Sequence, residues 1–269
     1  MRDDMARAVA AYEQTVRSTI ALAQDFSDAD YDLPTDLPGW TVKDVLSHLI
    51  GIERMLLGDP VPQHTLPEDL PHIRNDFARM LEVDVDVRRP VPGPEVLAEL
   101  TETLERRLVQ LPGIDPDQET IAPTGRTVPY VEFMTFRAFD CYVHEQDVRR
   151  AVGRPGNLDA PAAEYTRYRL GFGLPFVVGK KAGAEPGQTV RFEVTGPAAF
   201  TRHIAVGDDR RARDTDPVDA PTATLTMDWE TFMLLSTGRR TPDTVPVPAT
   251  VAGDQDLATR VLANMNTTP

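Results

Sequence analysis

The chain has 269 residues, a length that fits one large domain or two modest ones. Its formal net charge of −14 opposes binding to DNA or RNA, which needs a basic face to displace counterions, and its single cysteine allows neither an intrachain disulfide nor a thiolate metal cage. Met1-Arg2-Asp3-Asp4 leads into charged, helix-like sequence and no run of about 18 apolar residues occurs, so the expectation is a cytoplasmic protein with no membrane partner, a monomer or homodimer.

Residues 4 to 24 repeat apolar side chains at Met5, Val9, Tyr12, Val16 and Ile20, which places one stripe on one helix face. After the turn-rich stretch from Leu33 to Gly39, Thr41 stands three residues before Asp44, a capping-box start. Val42, Val45, Leu46, Leu49, Ile52 and Leu56 then mark a second helix, which Gly58 and Pro60 end. Residues 59 to 93 are rich in proline and acid and read as a long crossover with a short helix near 72 to 82. Pro94 opens a third helix with Leu97, Leu100, Leu104, Leu108 and Leu111 as its stripe. A fourth is expected from Thr127, with Pro129 in its first turn, to about Ala151. Four amphipathic helices with one long connection predict a four-helix bundle over residues 1–155.

The period changes at Gly153-Arg154-Pro155-Gly156. A helical stretch at 160 to 172 precedes strand-like alternation at 189 to 194, 202 to 206 and 223 to 227. A short helix at 229 to 236, a strand at 246 to 252 and an amphipathic helix at 255 to 265 follow. Residues 156–269 therefore read as a smaller, separate α+β domain, and the whole chain as α+β.

The fourth helix carries the strongest chemical signal. At 100° per residue, Asp140, Val143, Phe136, Asp147, Phe133, His144, Arg137, Tyr130 and Cys141 share one broad arc, with Glu145, Gln146, Arg149 and Arg150 largely opposite. Asp140 and His144, four residues apart, are neighbours on the face expected to be core, and Arg137 lies one turn earlier. Charged residues on a core face break binary patterning, as functional sites do. A cation would satisfy both groups. His48, on the side of the second helix's apolar stripe, would complete a two-His, one-carboxylate site with an open coordination position. The pattern alone fits equally well a buried Asp140–Arg137 ion pair beside a core histidine.

Other chemistries have less support. His64 and His72 fall in the crossover and His203 on a strand, where structural roles are expected. Cys141 reads as an inert buried thiol. None of Ser18, Ser27, Ser47 and Ser236 sits in a nucleophile elbow, and neither Gly125 nor Gly171-Phe172-Gly173 belongs to a phosphate-binding fingerprint.

Two stretches carry a family resemblance. Pro38-Gly39-Trp40-Thr41-Val42-Lys43-Asp44-Val45-Leu46-Ser47-His48-Leu49 resembles the start of helix two in DinB-like metalloproteins, in particular the mycothiol-dependent maleylpyruvate isomerase family. The run from Arg137 to Ala151 resembles that family's fourth-helix signature. The resemblance implies a DinB-like bundle that holds a divalent metal, usually zinc, through residues matching His48, Asp140 and His144. The characterised isomerase has Glu in place of Asp140, an arm one methylene longer. It implies also a sterol-carrier-like C-terminal domain, whose closing region resembles Thr237-Gly238-Arg239-Arg240 and the later Val251-Ala252-Gly253-Asp254. Arg239 or Arg240 would suit a substrate carboxylate, since guanidinium binds carboxylate bidentately.

The resemblance thus implies a metal- and thiol-dependent enzyme with mycothiol as cosubstrate, in which the ion activates the thiol in a cleft for transfer to an electrophile or for cis–trans isomerisation. Arg137 or Asp147 would orient the ligands from behind. With three lysines against a majority of arginines, the composition suits the GC-rich actinobacteria in which mycothiol occurs. Two alternatives remain open: a metal hydrolase using the same open site, and a non-catalytic small-ligand-binding protein.

Overall fold

The computed structural model describes residues 1–268. The chain divides into two compact units after Tyr165.

The first unit is helical. Its long helices are α1 (Asp3–Ala23), α3 (Val42–Leu57), α5 (Gly93–Gln110) and α6 (Tyr130–Ala151), with a single-turn α2 (Asp28–Tyr31) and the crossover helix α4 (Asp76–Asp86). α1 packs on α6 and α5, and α3 packs on α5 and α6, which closes a four-helix bundle; α4 lies against α3. All five stripe residues of α1, from Met5 to Ile20, are buried. α3 starts at a capping box in which Thr41 and Asp44 satisfy each other's backbone N–H groups, a device worth about 1 kcal/mol. Gly58, at φ 79°, ends α3 in the left-handed conformation that glycine adopts without steric cost.

Four details of the helical unit differ from the sequence reading. The crossover helix lies at 76–86, where Asn75 caps it by accepting from the Ala78 N–H. On α5 the buried face is Val96, Leu100, Thr103, Leu104 and Arg107, with Leu97 and Leu108 at its margin. Thr127–Pro129 is a strand, β2, paired antiparallel with β1 (Glu119–Ile121), and the helix expected from Thr127 begins at Tyr130. Pro129 sits at ψ 149°, extended rather than helical, and Gly125 at φ 77° makes the turn of the hairpin. Finally, Glu145 and Gln146, expected on the solvent side of α6, are buried. The chain after α6 folds back over them: Asn157 donates to Glu145, Gln146 donates to the Gly156 carbonyl at 3.2 Å, and Tyr142 donates to the Leu158 carbonyl at 2.8 Å. These bonds tie the segment after Gly156 to the helical unit, so the division falls inside α7 (Ala162–Phe172).

The second unit is α+β. After the single-turn α8 (Leu174–Phe176), the strands β3 (Thr189–Thr195), β4 (Phe200–Val206), β5 (Ala212–Asp214), β6 (Ala223–Asp228) and β7 (Thr250–Gly253) form one sheet in the order β5-β4-β3-β6-β7. Every pairing is antiparallel except β3 with β6. Helices α9 (Trp229–Ser236) and α10 (Gln255–Ala263) pack on β6. Val190, Phe192 and Val194 alternate inward along β3, as a half-buried strand requires. The last strand starts four residues later than its apolar pattern suggests, because Pro246 and Pro248 have no N–H for the ladder. The three-residue edge strand β5 has no apolar alternation by which the sequence could announce it.

Candidate metal centre

α3 and α6, adjacent in the bundle, bring His48, Asp140 and His144 together. One donor atom from each lies within 4.8 Å of the others. His48 Nε2 is 3.7 Å from Asp140 Oδ2, and His144 Nε2 is 3.6 Å from Asp140 Oδ1. A tetrahedral zinc ion with bonds near 2.0–2.1 Å places its ligand atoms about 3.3 Å apart, so small side-chain movements suffice to close the set. Both imidazoles are buried, while the Asp140 side chain keeps 32% exposure and forms the open side.

The donor set fits a cation on two further observations. Both ring nitrogens of His48 are buried and have no hydrogen-bond partner among the described residues, an arrangement that a ligand role resolves. Burial also lowers the His48 pKa below its ordinary value, which favours the neutral imidazole with a free lone pair. Asp140 is held ionised: burial opposes the charge, but His144, Arg137 and His48 outweigh it and lower its pKa.

Charged groups support the cluster from behind. Asp147 Oδ2 lies 3.2 Å from His144 Nδ1, which leaves Nε2 facing Asp140, and Arg150 binds the other Asp147 oxygen at 2.5 Å and Asp36 at 2.9 Å. Arg137 donates to Asp140 at 2.7 Å and, through two nitrogens, to Glu53 at 2.7 and 2.9 Å. Glu53 accepts also from Arg107 at 2.7 Å, and Arg107 reaches the Tyr130 hydroxyl at 2.9 Å. The ion pair that pattern alone offered as the alternative is therefore present, and it coexists with the histidine pair. Glu53 and Arg107 were missed from the sequence although a signal existed. Glu53 follows Leu49 by four residues and Arg107 follows Leu104 by three, so both interrupt apolar stripes.

The remaining candidates fall elsewhere. His64 Nε2 is 2.6 Å from Asp86, His72 Nε2 is 3.1 Å from Glu82, and His203 Nδ1 accepts from the Val218 N–H. Cys141 is buried, and burial pushes its thiol above the ordinary range. Arg239 and Arg240 belong to the second unit, just after α9, where Gly238 turns the chain at φ 66° and Arg239 donates to the Thr237 carbonyl. Two surface cavities of 410 and 540 Å³ lie along the crossover, lined by residues such as His64 and Arg79 or Arg54 and Glu99, and neither lining includes the His48 cluster.

Fold and site together define an α+β protein whose helical unit carries an interior two-His, one-carboxylate cluster with one open side. Residues 12–149, more than half of the chain, match the family described as the mycothiol maleylpyruvate isomerase N-terminal domain, and residues 173–260 match the MDMPI C-terminal domain. The chain belongs to the mycothiol-dependent maleylpyruvate isomerase family. The crystal structure of the mycothiol-dependent maleylpyruvate isomerase is similar over 94% of this chain and 96% of that one, with a TM-score of 0.56 and 14% identity. A histidine-to-alanine mutant of the mycothiol-dependent maleylpyruvate isomerase gives 0.54 and 15% over 92% of this chain and 98% of that one. At such identities the likeness concerns the fold. No curated protein matches.

Proposed function

We propose that the protein is a divalent-metal enzyme that uses mycothiol to attack a small electrophilic substrate, for thiol transfer or for cis–trans isomerisation. The observation that carries this reading is the convergence of His48, Asp140 and His144, with the buried nitrogens of His48 lacking a hydrogen-bond partner among the described residues, in a chain of this family. His48, Asp140 and His144 would hold the ion, and zinc suits two imidazoles and a carboxylate with an open position. When bound, such an ion lowers the pKa of a coordinated thiol toward neutrality.

The chain's own residues set the conditions for that chemistry. Asp147 fixes the His144 tautomer by engaging Nδ1. Arg137 binds one Asp140 oxygen and withdraws part of its charge, so less of the ion's positive charge is neutralised by its ligand. Burial keeps Cys141 protonated, which supports a sulfur nucleophile supplied by the cosubstrate. In isomerisation the thiolate sulfur adds to the double bond of a conjugated acid, and the electron pair moves onto the adjacent carbonyl. Rotation about the former double bond, now single, and return of the pair then break the carbon–sulfur bond and expel the same thiolate, so none is consumed.

Turnover of an electrophile panel with and without mycothiol tests this reading. Activity that requires the thiol is expected, and hydrolysis independent of it would overturn the proposal. Arg239→Ala or Arg240→Ala is expected to raise KM for carboxylate-bearing substrates by about tenfold, the size of one lost charge-assisted contact.

A further inference from the structure

We propose that Trp40 is the positioning residue for His48, and that Glu82 of the crossover helix holds Trp40 in place; the inference rests on reading His48, Asp140 and His144 as metal ligands. The two histidines are oriented by different means. His144 has Asp147 on its Nδ1, the usual arrangement for a metal-binding imidazole. Among the described residues His48 has no hydrogen-bond partner on Nδ1, and its Nε2 faces only the Asp140 carboxylate at 3.7 Å. Its ring is fixed instead by packing, with the Trp40 ring centroid 5.1 Å away at 43° and the His144 centroid 4.7 Å away at 64°. Trp40 also reaches to 6.3 Å from His144, so one indole flanks both imidazoles.

Trp40 is itself held at both ends. Its N–H closes a turn onto the Leu37 carbonyl at 3.1 Å, with Pro38 and Gly39 at the central positions and Gly39 at φ 78°, as a type II turn requires. Its carbonyl accepts from the Thr35 N–H at 3.0 Å and hydroxyl at 2.9 Å. Its indole Nε1 donates to Glu82 Oε2 at 2.9 Å, across 42 residues of sequence. Glu82 is fully buried, and its other oxygen accepts from Arg89 at 2.7 Å. Arg89 binds Asp86 at 2.5 Å and Asp44, the capping acid of α3, at 3.3 Å. The carboxylate cannot swing away from the indole without unpairing a buried charge, so α4 becomes a working part of the centre.

Trp40 also packs against Val42, Val45 and Val148, so the experiment must separate positioning from mere filling of space. Full-length protein stripped of metal is titrated with Zn²⁺ against a competing chelator and, separately, with Co²⁺, whose visible absorption reports coordination geometry. Trp40→Leu and Glu82→Ala are expected to weaken Zn²⁺ binding about 10–100-fold and to alter the Co²⁺ spectrum. Glu82→Gln keeps an acceptor for the indole and is expected to restore affinity to within about threefold of the parent. Trp40→Phe keeps a ring but loses the donor, so adding Glu82→Ala to it is expected to have no further effect. If the harsher variants fail to fold, Trp40→Phe beside Glu82→Gln keeps the test decisive, with Zn²⁺ binding weakened in the first and within about threefold of the parent in the second. Parent-like affinity and Co²⁺ spectra in Trp40→Leu and Glu82→Ala, with ion binding lost in His48→Ala, would overturn the positioning role alone. A parent chain that takes up neither ion would overturn the metal reading and this proposal together.

Discussion

The helical unit buries Glu53, Arg107, Arg137 and Asp147 along with its two site histidines, whereas the buried polar groups described in the second unit are hydroxyls: Thr166, Thr224, Thr231, Ser236 and Thr237. The second unit's core is Val190, Phe192, Ile204, Leu225, Trp229 and Phe232, and Phe232 makes an edge contact with Phe200 at 5.1 Å. That core follows from alternation and burial alone. An ionic interior follows from neither, since replacing buried ion pairs with apolar residues is often neutral or stabilising. Its presence in one unit and not among the described residues of the other points to a task for part of these charges beyond holding the fold: Arg107, Glu53 and Arg137 form a chain of contacts that ends on Asp140, and Asp147 binds His144, while the buried Arg88 and Glu145 pair elsewhere, with Glu99 and Arg149.

The contrast can be broken most forcefully at Glu53. Glu53→Ala leaves the buried Arg107 without its carboxylate and Arg137 with Asp140 alone, and is expected to cost about 3–5 kcal/mol, while weakening metal binding through the loss of Arg137's anchor. Phe192→Ala, in the second unit, is expected to cost a comparable 3–5 kcal/mol through its cavity and to leave metal affinity unchanged. Thermal unfolding combined with Zn²⁺ titration separates the two, and equal effects on metal binding would erase the distinction drawn between the cores.

Acid provides a milder test. Glu99 is held below its ordinary 4.5 because Arg88 and Arg54 outweigh the opposing effect of burial, and Asp59 is held below 3.8 chiefly by its bonds to Arg106 and Arg54. Folded values below unfolded ones mean that this stabilisation is complete above the unfolded values and is lost as pH falls through the folded ones. In the second unit Asp209 is also depressed, by Arg213, but both partners are more than half exposed and screened by solvent. Below about pH 4 the helical unit is therefore expected to lose hydrogen-exchange protection first. The smallest effect is expected at Cys141. Cys141→Ala should cost about 1 kcal/mol of packing and leave thiol-dependent turnover intact, whereas loss of turnover would return the nucleophile to the chain.

Much of this architecture was legible in the sequence because long amphipathic helices repeat their signal over several turns. The α1 stripe, the Thr41–Asp44 capping box and the placement of Asp140 and His144 on one face of α6 all follow from spacing within a single element. What escaped depends on contacts between elements or on segments too short to show a period. The hairpin of Glu119–Ile121 with Thr127–Pro129 has three residues per strand, fewer than alternation needs. The burial of Glu145 comes with Asn157 and Ser18, neither of which lies on α6. Trp40 is visible as part of a motif, but its bond to Glu82 joins two segments that no local pattern connects. Glu53 and Arg107 are a different case, since each stands in an apolar stripe, where a charge signals a buried ion pair.

The proposed function assigns the ion pairs of Glu53, Arg107, Arg137 and Asp147 to the support of a metal ion on His48, Asp140 and His144. Elemental analysis of the purified chain beside His48→Ala and His144→Ala tests it most directly. About one bound divalent ion per parent chain is expected, with its loss in both folded variants; full retention in both variants, or no ion in the parent even after incubation with Zn²⁺, would contradict the account.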